Sequence, residues 1–167
     1  SLIDWSDRNT CVLFGDGAGA VILTASQTPG LISNTIGSDG SYKDLLTVNT
    51  DTEVIEMRGN DVFKIAVNTM GKLAKKTLEN SDYTVNNIDW LIPHQANSRI
   101  IKAVAKKINL SEDKIIMTVD KHGNTSAASI PLALDYGVNT GMVKKDHLII
   151  FEAFGAGFTW GSTLLKF

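Results

Sequence analysis

The sequence predicts an α/β domain in which a mixed sheet carries helices on both faces, and three observations lead there. Short apolar runs rich in β-branched residues alternate with longer stretches whose apolar positions recur every three or four residues. Gly, Asn, Asp and Pro gather at the junctions between them. The last two runs are separated only by a glycine turn, so the chain ends as an antiparallel hairpin on an otherwise α/β alternation. The resulting order, β-β-β-α-β-α-β-α-β-β, calls for a mixed sheet.

Residues 11–14 and 18–23 are β-rich runs on either side of Gly15, Asp16 and Gly17, and read as consecutive strands. Residues 31–36 read as a third. Residues 38–58 mix Gly, Asn, Asp and Thr with few periodic apolar positions, which predicts a long surface excursion beside a substrate mouth. From Asp61 onward Val62, Ile65, Ala66, Met70, Leu73, Ala74 and Leu78 keep helical spacing, an amphipathic helix of about four to five turns. A strand over residues 88–92 follows, then a helix over 97–109 with Ile100, Ile101, Val104, Ala105 and Ile108 inward. A third strand-to-helix unit runs from Ile115 to Val138, with Pro131 near the start of its helix, where a missing N–H is tolerated. The closing strands are residues 147–154 and 158–167.

The 167 residues suffice for one domain, 1–167, that buries on the order of 70% of its unfolded surface. Sixteen Lys and Arg against eighteen Asp and Glu leave a net charge of −2, so nothing global attracts nucleic acid or an anionic membrane. No apolar run approaches the roughly 20 residues that span a bilayer. The single cysteine rules out an internal disulfide, and no signal peptide opens the chain, which together point to a cytoplasmic setting. Residues 1–8 read as mid-protein sequence, so the chain is expected to be part of a longer protein. No Cys/His/Asp spacing fits a metal site.

Chemistry concentrates in two polar runs. Pro93-His94-Gln95-Ala96-Asn97 follows the apolar Trp90-Leu91-Ile92, and Gly123-Asn124-Thr125-Ser126-Ala127-Ala128-Ser129 follows the apolar run that opens at Ile115. Each precedes a helix, the place where open α/β sheets bind ligands. Alone, His94 has the ordinary reading of a satisfied loop residue and Asn124 that of a cap or turn. Cys11, in an apolar strand with no adjacent base, reads as inert core, and His122 and His147 as surface residues. Gly15 to Gly19 does not qualify as a dinucleotide loop, because a strand and not a helix is expected after it.

These two runs, together with Phe14-Gly15-Asp16-Gly17-Ala18-Gly19-Ala20, Gly59-Asn60-Asp61-Val62-Phe63-Lys64 and Glu152-Ala153-Phe154-Gly155-Ala156-Gly157-Phe158-Thr159-Trp160-Gly161, make the chain resemble β-ketoacyl-acyl-carrier-protein synthase III of the thiolase superfamily. The resemblance runs from Thr10 to Phe167. It implies the C-terminal half of a thiolase-like fold with a mixed five-stranded sheet, and a nucleophilic cysteine in an N-terminal half outside this chain. The intact enzyme is then expected to condense an acyl-coenzyme A, acetyl-coenzyme A foremost, with malonyl-acyl carrier protein to begin fatty acid synthesis. This half alone is expected to be inactive.

The resemblance assigns His94 and Asn124 to catalysis, as donors that hold a thioester enolate. It places Phe154 beside the nucleophile and gives the Ala156 N–H an oxyanion role. Arg8, Met57, Asn60, Phe63, Ala96 and Asn97 match a coenzyme A and phosphopantetheine tunnel. No permanently bound cofactor is implied; the coenzyme A thioester is substrate. Arg99, Lys102 and Lys106 share one helix face, with Lys107 beside them, and would meet the acidic acyl carrier protein. The implied partners are that carrier, acyl-coenzyme A, a malonyl thioester, the missing half and a second copy in a homodimer. Two other readings stand beside this one: another coenzyme A-dependent Claisen enzyme, of polyketide or alkylquinolone type, and a non-catalytic thiolase-like half that only binds coenzyme A or pairs with a partner.

Overall fold

The structure, a computed structural model, describes residues 2–28 and 30–167. Its sheet is assembled from β1 (Leu31–Ser38), β4 (Trp90–Pro93), β5 (Leu148–Gly155) and β6 (Thr159–Lys166), in the order β1-β6-β5-β4. β5 and β6 form the predicted C-terminal hairpin, β1 adds antiparallel to β6, and β4 runs parallel to β5. The sheet is mixed, as expected.

β4 and β5 are buried on both faces, which is why they read as unbroken apolar runs. Along β5 the pleat sends Leu148 and Ile150 into one core and Ile149 into another. The first core lies under α1 (Gly59–Glu79) and α2 (Ser98–Lys107), whose Ala74, Leu78, Ile101 and Ala105 meet it. The second lies under α4 (Ser129–Asn139) through Ala133, so helices do cover both faces. Each fully buried Ile of these layers contributes about 1.5–3 kcal/mol by leaving water. α1 begins before Asp61 and is 21 residues long, one turn more than its apolar pattern indicates.

The excursion over residues 38–58 is ordered. It holds a short 3-10 turn over Gly40–Leu45 and a hairpin of β2 (Leu46–Val48) with β3 (Ile55–Met57). The fully buried Phe158 ties it down: Asp39 and Phe158 exchange backbone hydrogen bonds of 2.8 Å, and the Tyr42 ring stacks on Phe158 at 5.5 Å.

Two expected strands are absent. Residues 11–13 form a turn, and only Phe14 pairs, as a single parallel bridge to Asn124. Residues 18–23 have no regular structure, and Val21, Ile22 and Leu23 are 63%, 91% and 77% exposed. The reason lies in the glycines. A Cβ at Gly15 would lie 2.4 Å from the His122 carbonyl oxygen, one at Gly17 2.9 Å from Thr125 Cβ, and one at Gly19 2.5 Å from Pro131 Cγ. Three glycines at spacing two thus present bare backbone to the segment that carries Asn124, instead of forming the turn of a hairpin.

The fifth strand of the expected sheet is reduced as well. Residues 115–119 touch β4 through one bridge, Leu91 to Ile115, with the Ile116 N–H donating to the Leu91 carbonyl at 3.0 Å. Beyond it the fully buried Gln95 side chain takes over the ladder's hydrogen bonds, and the chain enters α3 (Val119–His122). Cys11 is half-buried in the N-terminal turn, not in a strand core. His122 is exposed, whereas His147 is half-buried and its Nδ1 accepts from Trp90 Nε1 at 3.1 Å. No helix of the described residues is long and apolar enough to cross a membrane.

Gly19→Ala is expected to lower stability by about 1–3 kcal/mol, the cost of overpacking against a rigid ring, since Pro131 cannot swing aside. Denaturant midpoints of the two proteins test this; an unchanged midpoint would show that the glycine face is not pressed against α4.

Candidate functional site

β4 stops at Pro93, which pairs with Glu152, and the His94 N–H extends the register by donating to the Glu152 carbonyl at 2.6 Å. Asn97 then caps α2: its backbone is extended, and its Oδ1 accepts the Ile100 N–H at 2.9 Å. His94 therefore occupies a three-residue link between a strand end and a helix cap. Its Nδ1 lies 2.8 Å from the hydroxyl of Ser129, and the same hydroxyl accepts the Gln95 N–H at 3.1 Å. Burial lowers the His94 pKa from its ordinary 6.5 to about 4, against a smaller opposing hydrogen bond with the Ser126 backbone. The ring is neutral at physiological pH.

Asn124 is held at both backbone groups. Its N–H donates to the Leu13 carbonyl at 2.8 Å and its carbonyl accepts the Gly15 N–H at 2.9 Å. Its side-chain Oδ1 accepts the Ser126 N–H at 3.0 Å, a local turn of the kind Asn commonly makes. That bond orients the amide and leaves Nδ2 free to donate, with no partner among the described residues. The turn and the functional role therefore coexist in one side chain.

Both residues line one cleft of about 1450 Å³. Phe154 and Ala156 border it from the β5 end, where Phe154 meets the Phe158 ring edge-on at 4.6 Å. Ala156 does not adopt a positive φ, so the alanine is unstrained there. Met57, Asn60, Phe63, Ala96 and Asn97 are all in the lining. Asn60 is the second residue of α1, whose N-cap is Arg58, so it does not cap the helix. Arg8 is exposed and outside the lining; its neighbour Asn9 is inside it.

The basic face is uneven. Arg99 lines the cleft with its guanidinium 5.3 Å from the Phe63 ring centre, a cation–π contact. Lys102 is paired with Glu112 at 3.0 Å, and Lys107 donates to Asn68 Oδ1 at 2.7 Å. Lys106 is exposed. Among the described residues, only Lys102 of these four cations is neutralised by a carboxylate; Arg99, Lys106 and Lys107 keep unpaired charge along this face.

Three buried polar residues escaped the sequence reading. All three stand inside the motifs singled out above, Gln95 and Ser129 in the two polar runs and Glu152 at the head of the closing one, but nothing local marks Glu152 as buried rather than as a surface strand residue. It is fully buried on the α1 face of β5, and burial pushes its carboxyl well above the usual carboxylate range, with the Ala74 backbone opposing. Strand register sets Ser162 beside it and Thr35 beyond Ser162. No group of three or more His, Cys, Asp or Glu that could hold a metal occurs among the described residues.

Comparison with known proteins gives the family context of this cleft. Residues 78–167 match the family model described as 3-oxoacyl-[acyl-carrier-protein] synthase III C terminal, and residues 1–40 match the 3-oxoacyl-[acyl-carrier-protein] synthase III model. A β-ketoacyl-[acyl-carrier-protein] synthase III of Thioalkalivibrio sulfidiphilus is 54% identical over 177 residues, covering 99% of this chain and 55% of that protein. That of Methylococcus capsulatus is 49% identical over 174 residues, with 99% and 54% covered. The crystal structure of 3-oxoacyl-[acyl-carrier-protein] synthase III from Aquifex aeolicus superimposes with a TM-score of 0.96 at 43% identity, covering 99% of this chain and 54% of that one. The chain spans about half the length of the curated relatives it matches.

Two pH responses follow from the buried groups. The unfolded chain protonates His94 near 6.5 and the folded one only near 4, so this residue's contribution to stability falls as pH drops between those values. Imidazole NMR should show His94 still neutral at pH 5; a midpoint near 6.5 would mean that the ring is solvated. Glu152 works in the other direction: its contribution is complete below the ordinary 4.5 and declines as pH rises above it, because only the unfolded chain releases the proton readily. Glu152→Gln should therefore gain stability over the parent at pH 8 relative to pH 5 in denaturant titrations. A constant difference between the two proteins would show that Glu152 is ionised in the fold.

Proposed function

Because this chain belongs to the 3-oxoacyl-[acyl-carrier-protein] synthase III family, we propose that it is the C-terminal half of a condensing enzyme joining an acyl-coenzyme A, acetyl-coenzyme A foremost, to malonyl-acyl carrier protein. The observation that carries this reading is one cleft lined by two neutral donors, a half-buried, desolvated His94 and an Asn124 whose Oδ1 is already engaged.

In the proposed reaction a cysteine thiolate of the complementary half takes the acyl group, and the coenzyme A thiol leaves. The malonyl thioester then breaks its bond to the carboxylate, releasing CO₂ and placing the electron pair in a thioester enolate. The enolate carbon attacks the acyl-cysteine carbonyl, and the tetrahedral adduct collapses by expelling the cysteine thiolate. Negative charge gathers first on the malonyl thioester oxygen. Preoriented donors aimed there stabilise the transition state by several kcal/mol, because they need no reorganisation.

His94 and Asn124 suit that oxygen. A Ser129 hydroxyl proton donated to His94 Nδ1 leaves the ring proton on Nε2, an assignment made from the hydrogen-bond network. The depressed pKa keeps the ring from accepting a second proton, so the donor stays neutral and does not form an ion pair with the malonyl carboxylate that would stabilise the ground state. The Ala156 N–H would serve the attacked carbonyl, with Phe154 beside the nucleophile. Met57, Asn60, Phe63, Ala96 and Asn97 would receive the coenzyme A or phosphopantetheine arm, and Arg8 would reach that arm only outside the present lining. Arg99 and Lys106 would meet the acidic carrier, with Lys102 contributing less while Glu112 neutralises it. The exposed Val21, Ile22 and Leu23 support the reading that the complementary half covers this segment. The proposal includes a homodimeric enzyme working in the cytoplasm.

In the full-length protein, His94→Ala or Asn124→Ala should slow malonyl decarboxylation by about 100- to 1000-fold, as loss of one oxyanion donor does elsewhere. Acylation of the nucleophilic cysteine, read by intact-protein mass spectrometry, should persist in both. Loss of self-acylation in folded variants would overturn the division of labour, and undiminished decarboxylation would remove both residues from the mechanism.

A further inference from the structure

We propose that Gln95 is a positioning residue whose side-chain amide sets the spacing between the His94 loop and the Asn124 loop. Its catalytic consequence rests on the roles proposed for those two residues; the positioning itself does not.

An amide side chain has two N–H donors and an oxygen with two acceptor sites, and in Gln95 all four are used. Nε2 donates to the Pro93 carbonyl at 2.8 Å and to the Ile116 carbonyl at 3.3 Å. Oε1 accepts the Thr118 N–H at 2.8 Å and the Val119 N–H at 3.2 Å. The amide has only one acceptable orientation, since the reverse would face its N–H groups to two N–H donors and its oxygen to two carbonyls. The residue is 1% exposed, so water cannot substitute for any of these partners.

Its partners lie at the two places that matter for the cleft. Pro93 is the last residue of β4, immediately before His94. Thr118 and Val119 are the N-cap and first residue of α3, whose early N–H groups lack helical partners, and the Thr118 side chain makes no capping bond. Four residues later the helix ends at Gly123, and Asn124 follows. The Gln95 backbone N–H also donates to the Ser129 hydroxyl that contacts His94 Nδ1. One residue therefore bridges the strand behind His94, the helix leading to Asn124 and the group that orients the His94 ring.

The strands themselves cannot do this. β4 and residues 115–116 share one bridge and then diverge, because Pro93 has no N–H to extend the ladder. The Gln95 amide, equivalent in chemistry to a peptide group, spans the gap.

The test uses Gln95→Glu and Gln95→Met in the full-length protein. In the Gln95→Glu variant an ionised carboxylate would face two carbonyl oxygens, whereas the protonated acid can donate to one of them and still accept from Thr118 and Val119. Decarboxylation by Gln95→Glu should therefore fall as pH rises, a limb absent from the parent, while KM for the thioester stays within about twofold. Gln95→Met should lose about 10- to 100-fold in kcat at every pH, the scale of a displaced catalytic group. Parent-like rates in both variants overturn the proposal, as does a fall in Gln95→Glu without the pH limb. Hydrogen exchange on the unmutated protein decides the matter if neither variant folds. Thr118 and Val119 amides exchanging as slowly as that of Ile92 support the clamp; exchange at the rate of an exposed loop amide overturns it. If His94→Ala and Asn124→Ala leave decarboxylation unchanged while these two amides are protected, the functional reading fails and the clamp stands.

Discussion

The parallel pairing of β4 with β5 ends at Pro93 and Glu152, and the cleft is made from what each strand does in the next four residues. β4 loses its ladder partner at a proline and turns through His94 into α2. β5 continues through Phe154 to the glycine turn that displays Ala156. The bond that the His94 N–H donates to the Glu152 carbonyl is the last one joining the two strands. Everything that faces the cavity from these strands is therefore referenced to a single register, and a shift of one residue would exchange Glu152 and Phe154 for their neighbours of the opposite face.

Burial dominates the electrostatics on both sides of that register. His94 is a base kept unprotonated and Glu152 an acid kept protonated, each by desolvation more than by any charged neighbour. Their stability contributions weaken in opposite directions along the pH axis, His94's as pH falls below 6.5 and Glu152's as it rises above 4.5, so the two slopes oppose each other where those ranges overlap. The three ion pairs among the described residues, Lys102 with Glu112, Lys121 with Asp120 and Lys166 with Asp146, are all solvent-exposed, where such pairs contribute about 0–1 kcal/mol. Cohesion instead comes from apolar cores on both sides of the sheet.

The extended segment after Phe14 joins the site to the surface. Its glycines at spacing two press against residues 122–131 and hold the Asn124 backbone, while the apolar residues that follow them stand in solvent. A segment with that division has one face committed to the site and another suited to covering by further protein. This agrees with relatives about twice as long as the chain.

The sequence by itself determined the features that arise from near neighbours: the apolar stripes of α1 and α2, the closing hairpin, and the placing of His94 and Asn124 each at the head of a helix-bearing run. Backbone sterics and the 3.6- and 2-residue periods act over a few positions, so they leave a direct trace in the order of residues. Tertiary structure decided what depended on distant partners. Only folding brings Thr118 to Gln95 across 23 positions and so replaces a strand with a side chain, sets Pro131 against Gly19, pairs Lys102 with Glu112, and leaves Arg8 outside the cleft. The same holds for Glu152, whose burial beneath α1 fixes its protonation, because desolvation is a property of what surrounds a group and not of the group's place in the chain.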